Sequence, residues 1–298
     1  MKNFCTVSDG NFCDRVWALN RSLSNGSKDY KLHVLAIDDD AYLKFSNTEN
    51  GNNNNIKIYK LQDLIELDPL LAKSRKNKPS YEALNVCGGN IEKAMNIQFI
   101  WSLAPYFTWF CMENIDCDSV MYIDADIYFF GDWQEIYKHT SDISVGIVEH
   151  RCPYSPMNGK YNVGIVYFKN DFDGYKCLTW WKNCLLFTDN DYSQTHGTCG
   201  DQKYLELFET LFDNVASLDP YIGHLAPWNF AYHQYDDKEI LWNSKRQKLI
   251  YCHFSNFKPN YEKGTYVAAK RHGITDVKNG FIKDLYDEYY QVLRSCYA

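Results

Sequence analysis

The sequence lacks cysteine pairs of the metal-binding kind and long apolar runs. Its eleven cysteines include no Cys-x-x-Cys pair, which argues against a zinc knuckle, and their odd number does not close into a disulfide framework. We therefore expect reduced, mostly buried thiols. No apolar stretch approaches the roughly 20 residues that a membrane-spanning helix needs. Because residues 1–5 lead directly into strand-like sequence instead of a signal peptide, we expect a cytoplasmic protein without a transmembrane segment.

Blocks of basic residues are also missing. The net charge is −7, and no cluster of lysine and arginine is longer than a few residues, which argues against a nucleic-acid binder or a polybasic membrane anchor. We expect small or neutral partners. The 298 residues, of which 45% are hydrophobic and 23% charged, are typical of a globular enzyme and are enough for one large domain or two small ones.

Asp124-Ala125-Asp126 carries the strongest chemical signal in the chain. It follows the apolar run 120–123 and precedes the apolar run 127–130. In an extended segment, side chains at i and i+2 point to the same face about 7 Å apart. Carboxylate oxygens so placed are the ligands that Mg²⁺ and Mn²⁺ prefer. The pattern alone is at least as compatible with a strand that ends in solvated acidic turn residues.

Apolar periodicity predicts alternating strands and helices along the chain. The predicted strands cover residues 4–7, 31–37, 56–59, 120–123, 143–148, 162–168 and 249–254. The predicted helices cover about 16–23, 63–72, 91–112, 133–138, 175–187, 201–212 and 278–294. Residues 51–55 are typical of a loop and 73–89 of an irregular segment, and Pro105 is expected to kink or interrupt its helix. The alternation indicates a mainly parallel α/β sheet.

Four polar segments follow the predicted strands in a characteristic order. They are residues 8–11, 122–126, 161–164 together with 200–202, and 253–259. In this order and spacing they resemble the GT-A glycosyltransferases, in particular the glycosyltransferase family 8-like enzymes and the bacterial nucleotide-diphospho-sugar transferases. The resemblance extends from Phe4 to about Pro259, whereas residues beyond about Gly264 carry no matching motif.

The resemblance implies a GT-A fold of the α/β class, Rossmann-like, with a mainly parallel central sheet flanked by helices. It implies a single domain over residues 1–298. Within this domain we expect a nucleotide-binding half at about 1–130, a donor-sugar and acceptor half at about 131–260, and a C-terminal helical extension at about 261–298.

The metal site that the resemblance implies consists of Asp124, Asp126 and His253, holding Mn²⁺ or Mg²⁺ as cofactor. In family 8 enzymes the histidine belongs to a His-x-x-Gly-x-x-Lys-Pro-like motif. Here His253 precedes Lys258-Pro259 with one residue fewer and without the glycine. Lys258 would donate to the β-phosphate of the donor. The alternatives are a hydrogen-bonded histidine at a strand end and an ordinary surface lysine.

Contacts to the nucleotide sugar follow from the same resemblance. Asp9 and Asn11 match an Asp-x-Asn that meets base and ribose, and Asp38 resembles another nucleoside contact, although each of the three residues is also a typical helix cap. The expected donor contacts are completed by Thr6, Ala125 and Gly164.

The residues around the donor sugar match a further pair of motifs. Asn162 and Gly164 resemble the Asn-x-Gly of the strand beneath the sugar, where glycine allows close approach of a ligand. Asp201 and Gln202 resemble the catalytic pair near the anomeric carbon. Asp201 is also placed where it would cap a predicted helix.

Aromatic side chains between residues 228 and 242 are candidates for the acceptor site. Rings stack on sugar faces, but core packing explains most aromatic residues. The candidates are Trp228, Tyr232, Tyr235 and Trp242. Arg151 and Lys160, which bracket the loop before Asn162, are predicted to close over the donor as a lid.

The sequence thus predicts a metal-dependent glycosyltransferase that moves a hexose from a nucleoside-diphosphate sugar, with UDP favoured, to a hydroxyl acceptor such as a glycan, with retention of configuration. One alternative is a catalytically inactive module that binds nucleotide sugars. The other is a sugar-1-phosphate nucleotidyltransferase, which would carry a glycine-rich basic loop after its first strand. Residues 8–12 are neither glycine-rich nor basic.

Overall fold

The computed structural model describes residues 1–47, 55–153, 158–187, 200–236, 239–278 and 280–297. The strands are β1 (Lys2–Ser8), β2 (Tyr30–Ala36), β3 (Ile56–Lys60), β4 (Ser119–Ile123), β5 (Ile127–Phe129), β6 (Val145–Glu149), β7 (Tyr161–Lys169), β8 (Val215–Ser217), β9 (Gly223–Leu225), β10 (Gln234–Asp236), β11 (Glu239–Trp242), β12 (Lys245–His253), β13 (Lys258–Asn260) and β14 (Thr265–Val267). Apart from Asn55, the predicted loop 51–55 lies outside the described residues.

Helices alternate with these strands through most of the chain. The α-helices are α1 (Cys13–Gly26), α2 (Asp39–Asn47), α3 (Leu61–Leu67), α4 (Pro69–Ser74), α5 (Tyr81–Val86), α6 (Ile91–Asn114), α7 (Gln134–Tyr137), α8 (Phe172–Leu186), α9 (Phe208–Leu211) and α10 (Phe281–Tyr297). Short 3₁₀ helices cover Lys203–Leu207, Phe230–Tyr232 and Lys270–His272. None of the described helices combines the length and apolar character that a membrane crossing requires.

A seven-stranded central sheet runs in the order β3-β2-β1-β4-β7-β6-β8. The pairs β1 with β2, β1 with β4, β2 with β3 and β6 with β8 are parallel. Strand β7 is antiparallel to both of its neighbours. The predicted mainly parallel α/β sheet is therefore confirmed. Because β7 runs in the opposite direction, its first residues lie beside the carboxyl end of β4, where Ile123 faces Ile165.

The two faces of the central sheet bury different helices, because successive side chains of a strand point to opposite faces. Cys5 of β1 lies in an apolar cluster with α6 and α8, whereas its neighbour Phe4 lies in a cluster with α1 and Trp133. Both residues are fully buried. Burial of a large apolar side chain contributes about 1.5–3 kcal/mol. Burial on both faces explains why the central strands are near-continuous apolar runs.

A second sheet contains β10-β11-β12-β5, and β9 pairs in parallel with β12. Strand β5 is antiparallel to β12, with Ile127 opposite His253. The chain therefore leaves the central sheet at the end of β4 and enters the second sheet at β5. The residues between the two strands are 124–126, so the Asp-x-Asp motif lies at the transition between the sheets.

The C-terminal helix α10 packs on α1 and on the second sheet. Its Tyr289 is fully buried and stacks on Phe254, with ring centroids 3.9 Å apart. Tyr286 packs edge-on against the same ring at 5.0 Å. The segment without a recognisable motif thus completes an apolar cluster next to the end of β12.

Several predicted helices differ from the observed ones for local reasons. The predicted helix 63–72 is two helices, because Asp68 accepts hydrogen bonds from the backbone of Leu70 and Leu71 and Pro69 opens a new first turn. The predicted helix 201–212 is a 3₁₀ turn followed by the short helix α9. The segment 73–89, predicted to be irregular, contains α5, which Ser80 caps through the amide of Ala83.

Of the predicted kink or interruption at Pro105, the interruption is wrong. Helix α6 continues from Ile91 to Asn114 with Pro105 inside it. Proline removes one backbone hydrogen bond from the helix. Pro105 and its neighbours Ala104 and Tyr106 are buried, and α6 is packed on β1, β4 and α8. Tertiary packing therefore maintains the helix where the local sequence disfavours it.

Candidate active site

A cleft of about 590 Å³ lies at the carboxyl ends of β1 and β4. Ser8 at the end of β1 and Asp9 beyond it line the cleft, as do Asp124 and Asp126 beyond β4 and Asn162 at the start of β7. Crevices outside the carboxyl ends of strands are where open α/β sheets bind their ligands. The antiparallel course of β7 adds a polar side chain that a wholly parallel sheet would place at the opposite edge.

Asp124, Asp126 and His253, the three predicted metal ligands, lie together in this cleft. Their candidate ligand atoms are all within 4.8 Å of one another. His253 Nε2 lies 3.0 Å from Asp126 Oδ1 and 3.7 Å from Asp124 Oδ2, and Tyr122 donates a hydrogen bond to Asp124 Oδ1 at 2.9 Å. Two carboxylates and an imidazole form a donor set that suits Mn²⁺ or Mg²⁺.

Backbone hydrogen bonds hold the two aspartates in place, and each aspartate is bonded to a different sheet. The Asp124 amide donates to the Gly164 carbonyl of β7 at 2.9 Å, and the Phe254 amide, just after β12, donates to the Asp126 carbonyl at 2.8 Å. The amide of Ile127 donates to the Asp124 carbonyl at 3.1 Å, and this hydrogen bond closes a tight turn over residues 124–127. The spacing of the carboxylates therefore depends on the position of both β7 and β12.

The three side chains perturb one another electrostatically. Burial raises the pKa of the Asp124 carboxyl. Burial acts in the same direction on Asp126, but His253 outweighs it and lowers the pKa of Asp126. For His253, burial disfavours the charged ring, while the Asp126 and Asp124 carboxylates together raise its pKa. The cluster thus favours a cationic partner between two carboxylates.

A second group of polar side chains in the cleft consists of Asn162, Asp201 and Gln202. It connects β7 to the segment that begins at residue 200. Asn162 Nδ2 donates to Gln202 Oε1 at 3.0 Å, and Gln202 Nε2 donates to the Asn158 carbonyl at 2.7 Å. Asp201 also lines the cleft, and Trp181 holds its backbone by donating to the Asp201 carbonyl at 2.9 Å. The structure therefore brings the three predicted catalytic residues into one cleft with the metal-ligand cluster.

Asp201 differs from the aspartates of the cluster. Burial raises its pKa well above the ordinary value, and the nearby Asp124 carboxylate raises it further. Gln202 occupies the N-cap position of the 3₁₀ helix Lys203–Leu207, and no side chain caps that helix. The alternative role of Asp201 as a helix cap is therefore wrong.

Gly164 is required by the close packing between the two polar groups. A Cβ atom at this position would lie 2.6 Å from Asn162 Oδ1 and 2.7 Å from His253 Nδ1. The Gly164 amide also donates to Asn162 Oδ1 at 2.8 Å. Any larger residue would displace a polar side chain of the cleft.

The predicted nucleoside contacts fall into two groups. Asp9 and Ala125 line the cleft. Asn11 and Asp38 do not line it. Asn11 is exposed, and Asp38 lies in a separate depression with Lys60 and Gln62. Asp38 Oδ1 accepts from the Ala41 amide at 2.7 Å at the start of α2, which matches the alternative role as a helix cap.

Thr6 and Lys258 do not line the cleft either. Thr6 is fully buried within β1. Lys258 is exposed on β13, where it pairs with Val267, and it does not line the cleft.

Of the candidate acceptor residues, Trp228 lies in the cleft. Its ring packs edge-on against His253 at 5.1 Å and against His150 at 5.4 Å. Tyr232, Tyr235 and Trp242 do not line the cleft. Trp242 instead packs under the Arg151 guanidinium, with the ring centroid 4.2 Å from Cζ.

The predicted lid is wrong for Arg151, whose side chain is fully buried. It is paired with Asp219 at 2.6 Å and donates to the carbonyls of Asp219 and Ile222 and to Gln247. The Asp219 carboxylate also accepts from the Glu149 amide at 2.6 Å. Arg151 therefore anchors the cleft wall at residues 149–151. Lys160 is half-exposed and pairs with Glu149 at 3.1 Å.

Residues outside every predicted motif also line the cleft. They are chiefly Glu82, Trp101, His150, Arg271 and His272. Glu82 and Trp101 come from α5 and α6, where the sequence shows either no clear pattern or an ordinary buried helix. Arg271 and His272 come from the segment beyond Gly264. Their basic character was the only signal in the sequence, and a charged residue in a loop is normally solvated.

The order of the central sheet, the cleft at its strand ends and the carboxylate pair after β4 define the GT-A fold of glycosyltransferases. Solved structures agree with this. An active-site mutant of LgtC has a TM-score of 0.53 at 14% identity, over 93% of this chain and 98% of LgtC. The galactosyltransferase LgtC in complex with donor and acceptor sugar analogs has a TM-score of 0.51 at 16% identity, over the same shares. The predicted fold is therefore confirmed.

Two proteins of Bacillus subtilis (strain 168) are similar in sequence. The uncharacterized protein YfnF is 26% identical over 271 residues, which is 86% of this chain and 81% of YfnF. The uncharacterized protein YfnD is 23% identical over 262 residues, which is 86% of this chain and 78% of YfnD. No protein-family model matches the sequence.

Proposed function

We propose that the protein is a metal-dependent glycosyltransferase that transfers a hexose from a nucleoside-diphosphate sugar, with UDP favoured, to a hydroxyl acceptor such as a glycan. The observation that carries this proposal is that the cluster of two carboxylates and one imidazole shares a single cleft with the hydrogen-bonded Asn162 and Gln202. The GT-A fold supports it, because that fold is the one of the galactosyltransferase LgtC.

The donor set of the cluster suits a divalent cation, which we propose to be Mn²⁺ or Mg²⁺ held by Asp124, Asp126 and His253. When bound, such a cation supplies Lewis-acid stabilisation of the charge that develops on a diphosphate leaving group. Asp124 and Asp126 contribute the oxygen ligands, and Tyr122 orients the Asp124 carboxylate through its hydrogen bond.

The residues beside the cluster bind and orient the donor sugar in this proposal. Asn162 and Gln202 present amide groups that hydrogen-bond to sugar hydroxyls. Asp201 lies next to them in the cleft, and its raised pKa favours a carboxyl that donates a hydrogen bond to a hydroxyl over one that is permanently charged. Trp228 offers a ring face to the acceptor sugar.

Retention of configuration is the stereochemical part of the proposal. An inverting displacement needs a carboxylate that is available as a general base. The acidic side chains of the cleft outside the metal-ligand cluster already have partners or a raised pKa. Glu82 accepts from the Gly200 amide at 2.7 Å, Glu149 pairs with Lys160 at 3.1 Å, and Asp9 accepts from the Asn11 amide at 2.9 Å. Burial raises the pKa of Asp201. A β-linked product from an α-linked donor, detected by NMR, would overturn this part.

The first test is thermal unfolding of the purified protein with UDP, GDP, CDP and TDP, each with and without Mn²⁺. A ligand that binds the folded state raises the unfolding midpoint by mass action. We expect UDP with Mn²⁺ to raise the midpoint and UDP without metal to have a much smaller effect. The absence of a shift with all four nucleotides and metal would contradict the proposed donor site.

Turnover separates the glycosyltransferase from the two alternatives. We expect free UDP to be released from a UDP-hexose in the presence of an acceptor sugar. Nucleotide binding without turnover across a panel of UDP-sugars and acceptors would favour the inactive binding module. Pyrophosphate release from UTP and a hexose 1-phosphate would favour the nucleotidyltransferase.

A further inference from the structure

The cleft that we propose for a nucleotide sugar is rich in negative charge. Six acidic side chains line it, namely Asp9, Glu82, Asp124, Asp126, Glu149 and Asp201. A diphosphate is also strongly negative. Its binding therefore requires cationic groups on the protein in addition to a divalent cation at the Asp124, Asp126 and His253 cluster.

Among the described residues, three lysine or arginine side chains line the cleft, and two of them are already committed. Arg151 is fully buried and paired with Asp219 at 2.6 Å. Lys160 pairs with Glu149 at 3.1 Å and donates to Tyr161 Oη at 2.9 Å. Arg271 is exposed at the cleft and forms no ion pair with any described residue. It is therefore the cation of the cleft that is available to an anionic ligand.

The turn that carries Arg271 is fixed by its own hydrogen bonds. The Ala269 amide donates to the Ile274 carbonyl at 2.7 Å, and the Ile274 amide donates back to the Ala269 carbonyl at 3.1 Å. Gly273 adopts a left-handed conformation, φ 76°, that closes the 3₁₀ helix Lys270–His272. Ala269 is fully buried, so the base of the turn is anchored in the core.

The position of the turn relative to the metal-ligand cluster follows from two ring contacts. His272 packs against Trp228 with centroids 5.6 Å apart, and Trp228 packs against His253 at 5.1 Å. The turn thus borders the cleft on the side of the metal-ligand cluster. A diphosphate that contacts a cation at this cluster extends over a few ångströms, which matches a second positive contact from this wall.

We infer that Arg271 binds the diphosphate of the donor, the task that the motif at 253–259 assigns to Lys258. Lys258 is exposed on β13 and does not line the cleft. The planar guanidinium of arginine binds phosphate oxygens through two parallel hydrogen bonds. The C-terminal segment beyond Gly264 therefore contributes directly to donor binding. This inference rests on the proposed function.

The test is isothermal titration calorimetry of the full chain with UDP and, separately, with uridine, both in the presence of Mn²⁺. We expect Arg271→Gln to weaken UDP binding by about tenfold or more and to leave uridine binding unchanged, because only the diphosphate contact is lost. Arg271→Lys should recover part of the affinity. The matched control is Lys270→Gln, which removes the same charge from the same turn at a side chain that does not line the cleft.

The outcomes separate this inference from the proposed function. If the wild-type protein binds UDP and Arg271→Gln binds it equally well, the inference is wrong while the glycosyltransferase proposal stands. If Lys258→Gln weakens UDP binding and Arg271→Gln does not, Lys258 and not Arg271 binds the diphosphate, and the inference is wrong. An equal loss in Lys270→Gln would show a general charge effect and would also overturn the inference. If the wild-type protein binds none of UDP, GDP, CDP and TDP, both fail together.

Discussion

At the scale of single residues, His253 determines the charge balance of the cleft. Two carboxylates a few ångströms apart repel each other, and partial burial strengthens that repulsion. The His253 ring, 3.0 Å from Asp126 and 3.7 Å from Asp124, offsets it when protonated. A bound divalent cation would neutralise the same charges more completely, so the protein without metal already favours the arrangement that metal binding needs.

Asp126→Asn keeps the shape of the side chain and removes one of the two charges. We expect the Mn²⁺-dependent rise of the unfolding midpoint with UDP to disappear and turnover to fall by roughly 10²–10³ or more. Asp118→Asn, at an exposed residue directly before β4, is the matched control and should behave as the wild type. Wild-type turnover in Asp126→Asn would remove Asp126 from the site.

Gly164→Ala tests the close packing of the cleft. Because the new Cβ would lie within 2.7 Å of both Asn162 Oδ1 and His253 Nδ1, one of these side chains has to move. We expect the affinity for Mn²⁺ and UDP, measured by calorimetry, to fall at least about tenfold. In Gly146→Ala, the control in the neighbouring strand β6, the nearest atom is in the flexible side chain of Leu218. If Gly164→Ala binds Mn²⁺ and UDP as tightly as Gly146→Ala does, the close packing around Gly164 is not required for binding.

Some cleft residues could be predicted because they come soon after an apolar strand, whereas Asn162, Asp201, Gln202 and His253 were predicted through the family resemblance. Asp9, Asp124 and Asp126 are of the first kind, because a strand end in an open sheet has a defined position. Glu82, Trp101 and Arg271 could not be predicted in this way. They reach the cleft through the packing of a helix or a distant turn, and no local spacing in the sequence encodes that packing.

At the scale of elements, the C-terminal helix α10 supports the strand that ends at His253. In one of its contacts, the fully buried Tyr289 stacks at 3.9 Å on Phe254, one residue beyond β12. Phe254 in turn holds the Asp126 carbonyl through its amide. The helix therefore contributes to the stability of the fold and to the position of the metal-ligand cluster.

Tyr289→Ala removes the ring from this contact. We expect the free energy of unfolding to fall by about 3–5 kcal/mol, as for other large buried aromatic side chains, in urea denaturation followed by circular dichroism. Tyr289→Phe keeps the ring and should change the free energy of unfolding by less than about 1 kcal/mol. A loss below about 1 kcal/mol in Tyr289→Ala would show that the helix is not integrated in the core.

Element prediction succeeded where local and tertiary preferences agree. The strands β1, β2 and β7 are apolar runs that are buried on both faces, and the helices α1 and α8 have apolar residues that are buried as predicted. It failed for α6 at Pro105, where packing on both sides overrides a local breaker, and for residues 201–212, where an amphipathic pattern is used by a 3₁₀ turn and a short helix. The short strands β8 to β11 have too few residues to show a period.

At the scale of the whole molecule, buried histidines make the stability depend on pH. Burial lowers the pKa of His33 to about 4, with help from Lys57 and Lys31. Burial, with Arg151 as the next cause, also lowers the pKa values of His224 and His233 to about 4. These rings are neutral in the folded protein, whereas the unfolded chain takes up a proton at each of them below about pH 6.5.

Between about pH 6.5 and pH 4 the unfolded state thus binds more protons than the folded state. The neutral histidines therefore stabilise the fold above about pH 6.5, and this stabilisation is lost as the pH falls to about 4. For His33 the loss is about 3 kcal/mol. We expect His33→Gln, which hydrogen-bonds but does not titrate, to show a smaller decrease than the wild type across this window in urea denaturation. If the free energy of unfolding falls equally with pH in His33→Gln and in the wild type, His33 does not contribute to the pH dependence.

Because the chain passes from one sheet to the other at residues 124–126, the metal-ligand cluster of Asp124, Asp126 and His253 connects the two sheets. Asp124 is tied to β7 of the central sheet, and Asp126 and His253 belong to the side of the second sheet. If the sheets separate, the three ligands separate with them, even when each sheet stays folded. In the proposed metal site, a cation bound to all three ligands would hold the two sheets together, and its affinity would depend on how firmly the sheets are docked.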